Sequence, residues 1–400
     1  AVLRQGLPLE AAIGRATAGI ERSDDRALAH AIAAEVLRRL PDLDALIDSA
    51  TKTRLPDDAK ARFALRIALV QALSLGTPPH AAISTVLPLV DGGPRKLVHG
   101  VFGTLMRQEA ALPELPTLPD PVALRWAAAW GEQMVADAAA AIAVPPPLDL
   151  TLADPSETAT FVEQLGGLSL LPGHVRLASS SVIELPGFAE GRWWVQDLAA
   201  SLPARLIGSG NGTTLDLCAA PGGKTMQLAS AGWRVTAVDA SQSRLARLGD
   251  NLARTGLTAK IVTADLLGWQ PPAPADAVLL DAPCTATGIF RRHPDVIHRV
   301  RPSQIAEMAA LQATLLARTA AWVKPGGVLV YATCSLEPAE GEAQIDPFLA
   351  AHPDFALDPV DTALLPAGIV PHPRGWVRTL PGMVAPDGCD GFFIARMRRA

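Results

Sequence analysis

The chain has 400 residues, 49% of them hydrophobic and 19% charged, with a formal net charge of -5. That length supports two or three packed domains, and the composition is that of a globular protein, which excludes a disordered chain. The acidic balance excludes a generally basic surface that coats nucleic acid by counterion release, so a nucleic-acid partner has to meet a local basic patch.

No apolar run reaches the roughly 18 to 20 residues that span a bilayer. The best candidate, FALRIALVQALSLG, is interrupted by Arg66 and Gln71. The first residues lack a charged-then-apolar secretory pattern. The four cysteines, Cys218, Cys284, Cys334 and Cys389, form no CxxC pair. Neither a disulfide framework nor a bound metal is therefore expected, and a reducing cytoplasm is the expected compartment. Nothing in the pattern demands more than a monomer.

From Leu7 to Ala143 apolar residues recur at three and four, as in ALAHAIAAEVLRRL and ARFALRIALVQALSL. This predicts an all-helical domain over residues 1–143 with five or more helices. AVPPPLDLTL cannot continue a helix and marks a boundary. Residues 144–200, with LDLTL, HVRLA and two helical pieces, read as a small mixed connecting module. In residues 201–400 five apolar runs follow in order: TLDLCA, RVTAVDA, KIVTAD, DAVLLDA and GGVLVYATC. Helical stretches such as SRLARLGDNLART separate them, which predicts a parallel sheet buried on both faces in a doubly wound α/β domain. GWVRTL and GFFIARMRR are expected to pair antiparallel at its edge.

Ligands of such sheets sit beyond the carboxyl ends of the strands. There the first run leads into CAAPGGKT, and the next three end at Asp239, Asp265 and Asp281. Gly222 and Gly223 let the backbone approach a ligand, and the following helix offers free N–H groups. Asp239 is placed to accept hydrogen bonds from both hydroxyls of a ribose. CAAPGGKT is one residue short of a nucleotide-binding P-loop, but Cys218 stands where that motif needs glycine, and Pro221 stiffens the turn.

Cys284 and Cys334 each follow one of the strands. A thiolate adding to carbon 6 of a pyrimidine makes carbon 5 nucleophilic enough to attack a methyl sulfonium. A carboxyl at ring nitrogen 3 stabilises the developing charge, and Asp281, three residues before Cys284, is placed for it. The thiol needs a nearby cation to ionise, for which Lys224 is the candidate. A second cysteine is available to assist release, whereas Cys218 and Cys389 read as small hydrophobes.

LDLCAAPGGKT, VDAS, LLDAPCTATGIFRRHPD and LVYATCSLEPAEGE together resemble the successive motifs of the RNA cytosine C5-methyltransferases of the NSUN (Sun) group, from Val195 to Arg399. The resemblance implies a Rossmann-like class I methyltransferase domain and S-adenosylmethionine as cofactor. It implies that Cys334 is the nucleophile, that Cys284 promotes product release and that Asp281 contacts the base. Cofactor binding would fall to Cys218, Ala219, Ala220, Pro221, Gly222, Gly223 and Lys224 together with Asp239, Arg244, Asp265 and Asp281. TPPHAAISTVLPLV and KLVHGVFGTLMRQ resemble the helical domain of the antitermination factor NusB. With the RRHPD extension and WVQDLAAS, they point to the bacterial branch of the group that acts on small-subunit (16S) ribosomal RNA.

A DNA cytosine methyltransferase would not need the TCS cysteine, and an amino-group methyltransferase would carry a [DN]PP[YF] loop, which DAPC is not. A non-catalytic RNA-binding or assembly factor would have no need of two thiols. The same chemistry on transfer RNA is the other alternative. For RNA contact the expected patch is Arg291, Arg292, His293, Arg299 and Arg301, against the single acid Asp295. Trp193 and Trp194 are expected to pack in a core rather than stack on a base.

Overall fold

The computed structural model describes residues 1–178 and 181–400. They form two compact units, residues 1–145 with 290–300 and residues 146–289 with 301–400.

Among the described residues the first unit holds nine α-helices between Val2 and Ala143. Its centre is the helix Lys60–Leu73, apolar around most of its circumference and correspondingly enclosed. Leu65 and Leu69 on this helix pack with Leu43, Ile47, Val86, Val98, Phe102 and Leu105. Arg66, which interrupts the apolar run, is buried too. Its guanidinium grips Asp44 on the helix Leu40–Ser49 with two bonds of 2.7 and 2.8 Å, a bidentate pair that makes its burial tolerable.

The second unit begins with a small antiparallel sheet of β1 (Leu148–Leu152), β2 (His174–Leu177) and β3 (Trp193–Val195), in the order β2-β1-β3. Trp193 and Trp194 are buried and donate their indole N–H groups to the Pro186 carbonyl and the Gln196 side chain, as core tryptophans do.

The main sheet has eight strands: β4 (Thr213–Leu217), β5 (Arg234–Asp239), β6 (Lys260–Thr263), β7 (Ala275–Asp281), β8 (Val323–Thr333), β9 (Phe355–Leu357), β10 (Val377–Thr379) and β11 (Phe392–Arg399). The order is β10-β11-β8-β7-β4-β5-β6, with β9 also on β11. β8, β7, β4, β5 and β6 are parallel, and they correspond to the five apolar runs read from the sequence. β10 and β11 pair antiparallel, and β11 lies antiparallel on β8. Along β7, Val278 and Leu280 enter the core on one face and Ala277 and Leu279 that on the other, the period of two of a sheet covered on both sides. From β4 the chain runs to β5 on one side, whereas β7 lies on the other. That reversal opens the crevice in which such sheets hold ligands.

Candidate active site

β4 ends in a tight loop before the helix Gly223–Ser230. Cys218 adopts φ 60°, unusual for a residue with a side chain, and Gly222 has φ 110°, where in addition a Cβ would collide with Leu248. The turn brings the Ala220 amide to Asp239 Oδ2 at 3.1 Å, and the Ser241 amide reaches Oδ1 at 2.8 Å. Arg244 closes the arrangement: its guanidinium lies 3.6 Å from Asp239 and donates to the Ala220 carbonyl. Asp239 is thus held rigid at the end of β5. Asp265, just beyond β6, accepts from the Leu267 amide at 2.9 Å.

Asp239, Arg244 and Asp265 line a pocket of about 620 Å³, together with Cys218, Asp281, Cys284 and Cys334. Its size is that of a small-molecule site. Of the loop Cys218–Lys224, Cys218 itself lines the pocket. Ala219 and Ala220 are buried, and Ala220 serves through its backbone. Pro221, Gly222 and Gly223 lie outside the lining and shape the loop. Burial, reinforced by the charges of Asp281 and Asp239, pushes the Cys218 thiol up to about 12. It stays neutral and unreactive.

Lys224 reaches across to Asp281, with Nζ 2.8 Å from Oδ2. Burial disfavours the ammonium, yet Asp281 outweighs it, and Lys224 is held above its ordinary value. Cys334 is among the groups that favour this cation. The hydrogen-bonded partner of the ammonium is thus the Asp281 carboxylate, whereas the sequence suggested it as the cation for a thiol.

The two cysteine loops meet. Cys284 Sγ lies 3.5 Å from Cys334 Sγ, although 50 residues separate them. The hydrogen bond to Cys334 and burial push the Cys284 thiol well above its ordinary value, so that sulfur keeps its proton.

Two further acids escaped the sequence reading. Asp216, on β4, is enclosed, and Thr225 Oγ1 donates to it at 2.5 Å. Desolvation raises its carboxyl to about 7, with Asp281 and Asp239 adding to the effect. Glu340, in a short turn after β8, accepts from the Thr285 amide at 2.8 Å and from the Gln312 amide at 3.1 Å. The Thr285 and Ser335 hydroxyls donate to its other oxygen. Both acids stood inside the quoted motifs, but only strand-end position drew attention there.

The basic patch is the main correction. Arg291 is only 2% exposed, so its guanidinium is not an open phosphate contact. The segment 290–300 belongs to the helical unit, where the Phe290 ring lies 5.3 Å from that of Trp126 and the His298 ring meets the Leu37 carbonyl at 2.6 Å. Arg299 is paired with Asp295 at 2.8 Å. Burial lowers the His293 imidazole, which favours its neutral form. Arg292 is half-buried and Arg301 is exposed. Buried Val296 and Ile297 explain the difference: they draw the segment into a core, and the arginines go with it.

Comparison with known proteins adds an independent line. Residues 205–398 match the family described as 16S rRNA methyltransferase RsmB/F, and residues 3–105 match the NusB family. The ribosomal RNA small subunit methyltransferase B of Xylella fastidiosa strain Temecula1 is 36% identical over 99% of this chain and 95% of its own length. The protein of the same name from Sodalis glossinidius is 36% identical over 99% of this chain and 94% of its own. Among solved structures, the crystal structure of PH0851 matches with a TM-score of 0.74 at 25% identity, covering 95% of this chain and 91% of that one.

Proposed function

Because this chain belongs to the ribosomal RNA small subunit methyltransferase B family, we propose that it methylates carbon 5 of a cytosine in 16S ribosomal RNA. In this reading S-adenosylmethionine is the methyl donor, Cys334 the nucleophile and Cys284 the residue that helps release the product. The observation that carries it is the meeting of two thiols 3.5 Å apart in a pocket walled by Asp239, Asp265 and Asp281. Acids at consecutive strand ends suit a ligand with a ribose and a cationic centre, and the pocket is large enough for one. Asp239, Asp265, Arg244 and the loop at Cys218 would hold the cofactor, which supplies the methyl group when bound.

The residues then have distinct tasks. The Cys334 thiolate forms a bond to carbon 6, and the electron pair of the 5,6 double bond moves toward carbon 5. Asp281, hydrogen-bonded to the Lys224 ammonium, faces the base edge with a proton source behind it, so charge on ring nitrogen 3 is neutralised as it grows. After carbon 5 gains its methyl group, a water molecule takes the proton from carbon 5, that C–H electron pair restores the 5,6 double bond, and the bond from carbon 6 to Cys334 breaks with its pair on sulfur. Cys284, which retains its own proton, donates a hydrogen bond to that leaving thiolate. The target base has to leave its stack to reach the sulfur, which costs a few kcal/mol and favours unpaired nucleotides. Of the expected patch Arg301 is exposed, and in this reading it would be the arginine offered to a phosphate of the RNA.

The test uses labelled S-adenosylmethionine and 16S ribosomal RNA with wild type, Cys334→Ala and Cys284→Ala, each run on a denaturing gel. Wild type labels a cytosine, Cys334→Ala labels none, and Cys284→Ala accumulates a protein–RNA adduct. An adduct formed through Cys284 would reverse the two roles, and absence of RNA labelling by wild type would refute the activity.

A further inference from the structure

The sheet holds the two cysteine loops together only as far as the Ala282 amide, which donates to the Ala332 carbonyl at 2.9 Å. Both loops then leave the ladder before their cysteines. Beyond that point the Gly288 amide donates to the Cys334 carbonyl at 3.0 Å. The Leu336 amide also donates to Thr287 Oγ1 at 3.0 Å, and the Thr287 and Ser335 hydroxyls lie 3.3 Å apart. The links nearest the sulfurs, at Thr285 and Ser335, converge on one carboxylate.

Glu340 is fully enclosed. Its Oε1 accepts from the Thr285 amide at 2.8 Å and from Gln312 Nε2 at 3.1 Å. Its Oε2 accepts from the hydroxyls of Thr285 and Ser335. Thr285 follows Cys284, and Ser335 follows Cys334. A single side chain therefore grips the residue after each sulfur. Its own backbone is anchored as well, for Tyr331 Oη and Thr333 Oγ1 donate to the Glu340 carbonyl at 2.8 and 3.1 Å. Burial raises the Glu340 carboxyl, and its four donors oppose that by filling the roughly four acceptor sites of the ionised form. All four are neutral.

We propose that Glu340 is a positioning residue that sets the distance between Cys284 and Cys334, and that this geometry is needed to release the product from the enzyme. The inference rests on the assignment of Cys334 as nucleophile and Cys284 as release residue. Two consequences follow from the contacts. Without Glu340 the Cys284 loop loses the amide and hydroxyl links at Thr285, next to its sulfur, and stays tied to the Cys334 side only further on, at Thr287 and Gly288, so the two sulfurs lose their fixed spacing. The carboxylate also stands close enough to Cys284 to favour its protonated thiol. Removing that charge makes Cys284 easier to ionise.

Glu340→Gln keeps the shape while removing the charge and replacing one acceptor oxygen by a donor. We expect kcat for RNA methylation to fall by about 10- to 100-fold, with KM for S-adenosylmethionine unchanged. A covalent protein–RNA adduct accumulates, as with Cys284→Ala. In a Cys334→Ala background, alkylation of Cys284 by iodoacetamide, followed by peptide mass spectrometry, moves to lower pH on adding Glu340→Gln. Glu340→Asp restores that alkylation profile toward wild type. Should Glu340→Gln fail to fold, Ser335→Ala and Thr285→Val each remove one hydroxyl donor and should give the same adduct in smaller amount.

Wild-type kcat without adduct in Glu340→Gln would overturn the proposal. So would loss of activity that follows only a lowered melting temperature, with no adduct and an unchanged Cys284 alkylation profile, and so would absence of adduct in both hydroxyl variants if Glu340→Gln does not fold. Cys284→Ala, run in parallel, separates the two possible failures. No adduct there overturns the cysteine assignment and this inference with it; adduct there but none on loss of the Glu340 contacts overturns the role of Glu340 alone.

Discussion

The helical unit and the catalytic pocket both enclose acids, and they treat them in opposite ways. In the helical unit Asp44 is met by Arg66 at 2.7 Å and by Arg62 at 2.9 Å, and Asp48 is also paired with Arg62. Burial alone would raise the Asp44 carboxyl, but the two arginines outweigh it and hold it below the ordinary carboxylate value. Near the pocket Asp216 is met by a threonine hydroxyl, Asp239 chiefly by backbone amides, and Glu340 by neutral donors only. Asp281 and Asp239 each have a cation nearby, Lys224 at 2.8 Å and Arg244 at 3.6 Å, and both cations stand at the pocket. Acids that hold a fold are closed off by opposite charge. Acids at the pocket are held mostly by neutral donors and each by no more than one cation, so less of their charge is closed off.

That contrast is testable, beginning with its strongest consequence. Cys334→Ala should abolish methyl transfer, a loss of more than about 10³-fold, while leaving the melting temperature within a few degrees. Single-turnover labelling and a thermal melt check both halves. A residual rate near wild type would place the nucleophile elsewhere.

Asp216 gives a stability effect with a defined sign. Its folded carboxyl binds a proton below about 7, whereas an unfolded aspartate does so only below about 3.9. Between those values the folded state holds more protons, so its stability falls as pH rises, and the loss is complete above about 7. Asp216→Asn should remove this slope and stabilise the protein at pH 8, by at most on the order of 4 kcal/mol relative to its effect at pH 4. Denaturant unfolding of both proteins at the two pH values measures it. Equal differences at both would show that Asp216 is not an uncompensated buried acid.

Arg66→Ala tests the other region. It strips a bidentate partner from Asp44 and should cost about 3 kcal/mol of stability. Below its melting temperature the variant should keep a kcat near wild type. A large fall in kcat without destabilisation would mean that the helical unit's charges serve catalysis too.

Asp281→Asn is the mirror experiment and has the smallest expected effect. It should lower kcat about 100-fold through loss of charge stabilisation at the base. The melting temperature should fall as well, because the buried Lys224 ammonium loses the carboxylate that offsets its desolvation. Kinetics and a melt on one preparation decide whether chemistry and stability fall together here, in contrast to Arg66.

Much of this arrangement is written locally. Five apolar runs with helical stretches between them foretell five parallel strands, because strand and helix patterns are short-range properties of the chain. The residue after a strand in such a sheet stands at the ligand edge, so Asp239, Asp265, Asp281, Cys284 and Cys334 could be picked out by position. The role of Lys224 was only half visible, since which acid it meets depends on the packing of β4 against β7. Glu340, in LEPAEGE, carries no local signal of its task. Its meaning comes from Thr285, 55 residues earlier, and a contact of that range leaves no periodic trace. Arg291 is the reverse case: a run of arginines reads as an exposed face until Phe290, Val296 and Ile297 find a core to enter.

The amino-acid sequence by itself thus determined the strands, the acids at their ends and the two thiols, because hydrophobic period and strand-end chemistry act over a few residues. Only the tertiary structure decided that the sulfurs meet, that one buried carboxylate joins their loops and that the basic segment after them turns inward. Those outcomes depend on which distant surfaces exclude water together, and burial of that kind is settled by the packed fold as a whole.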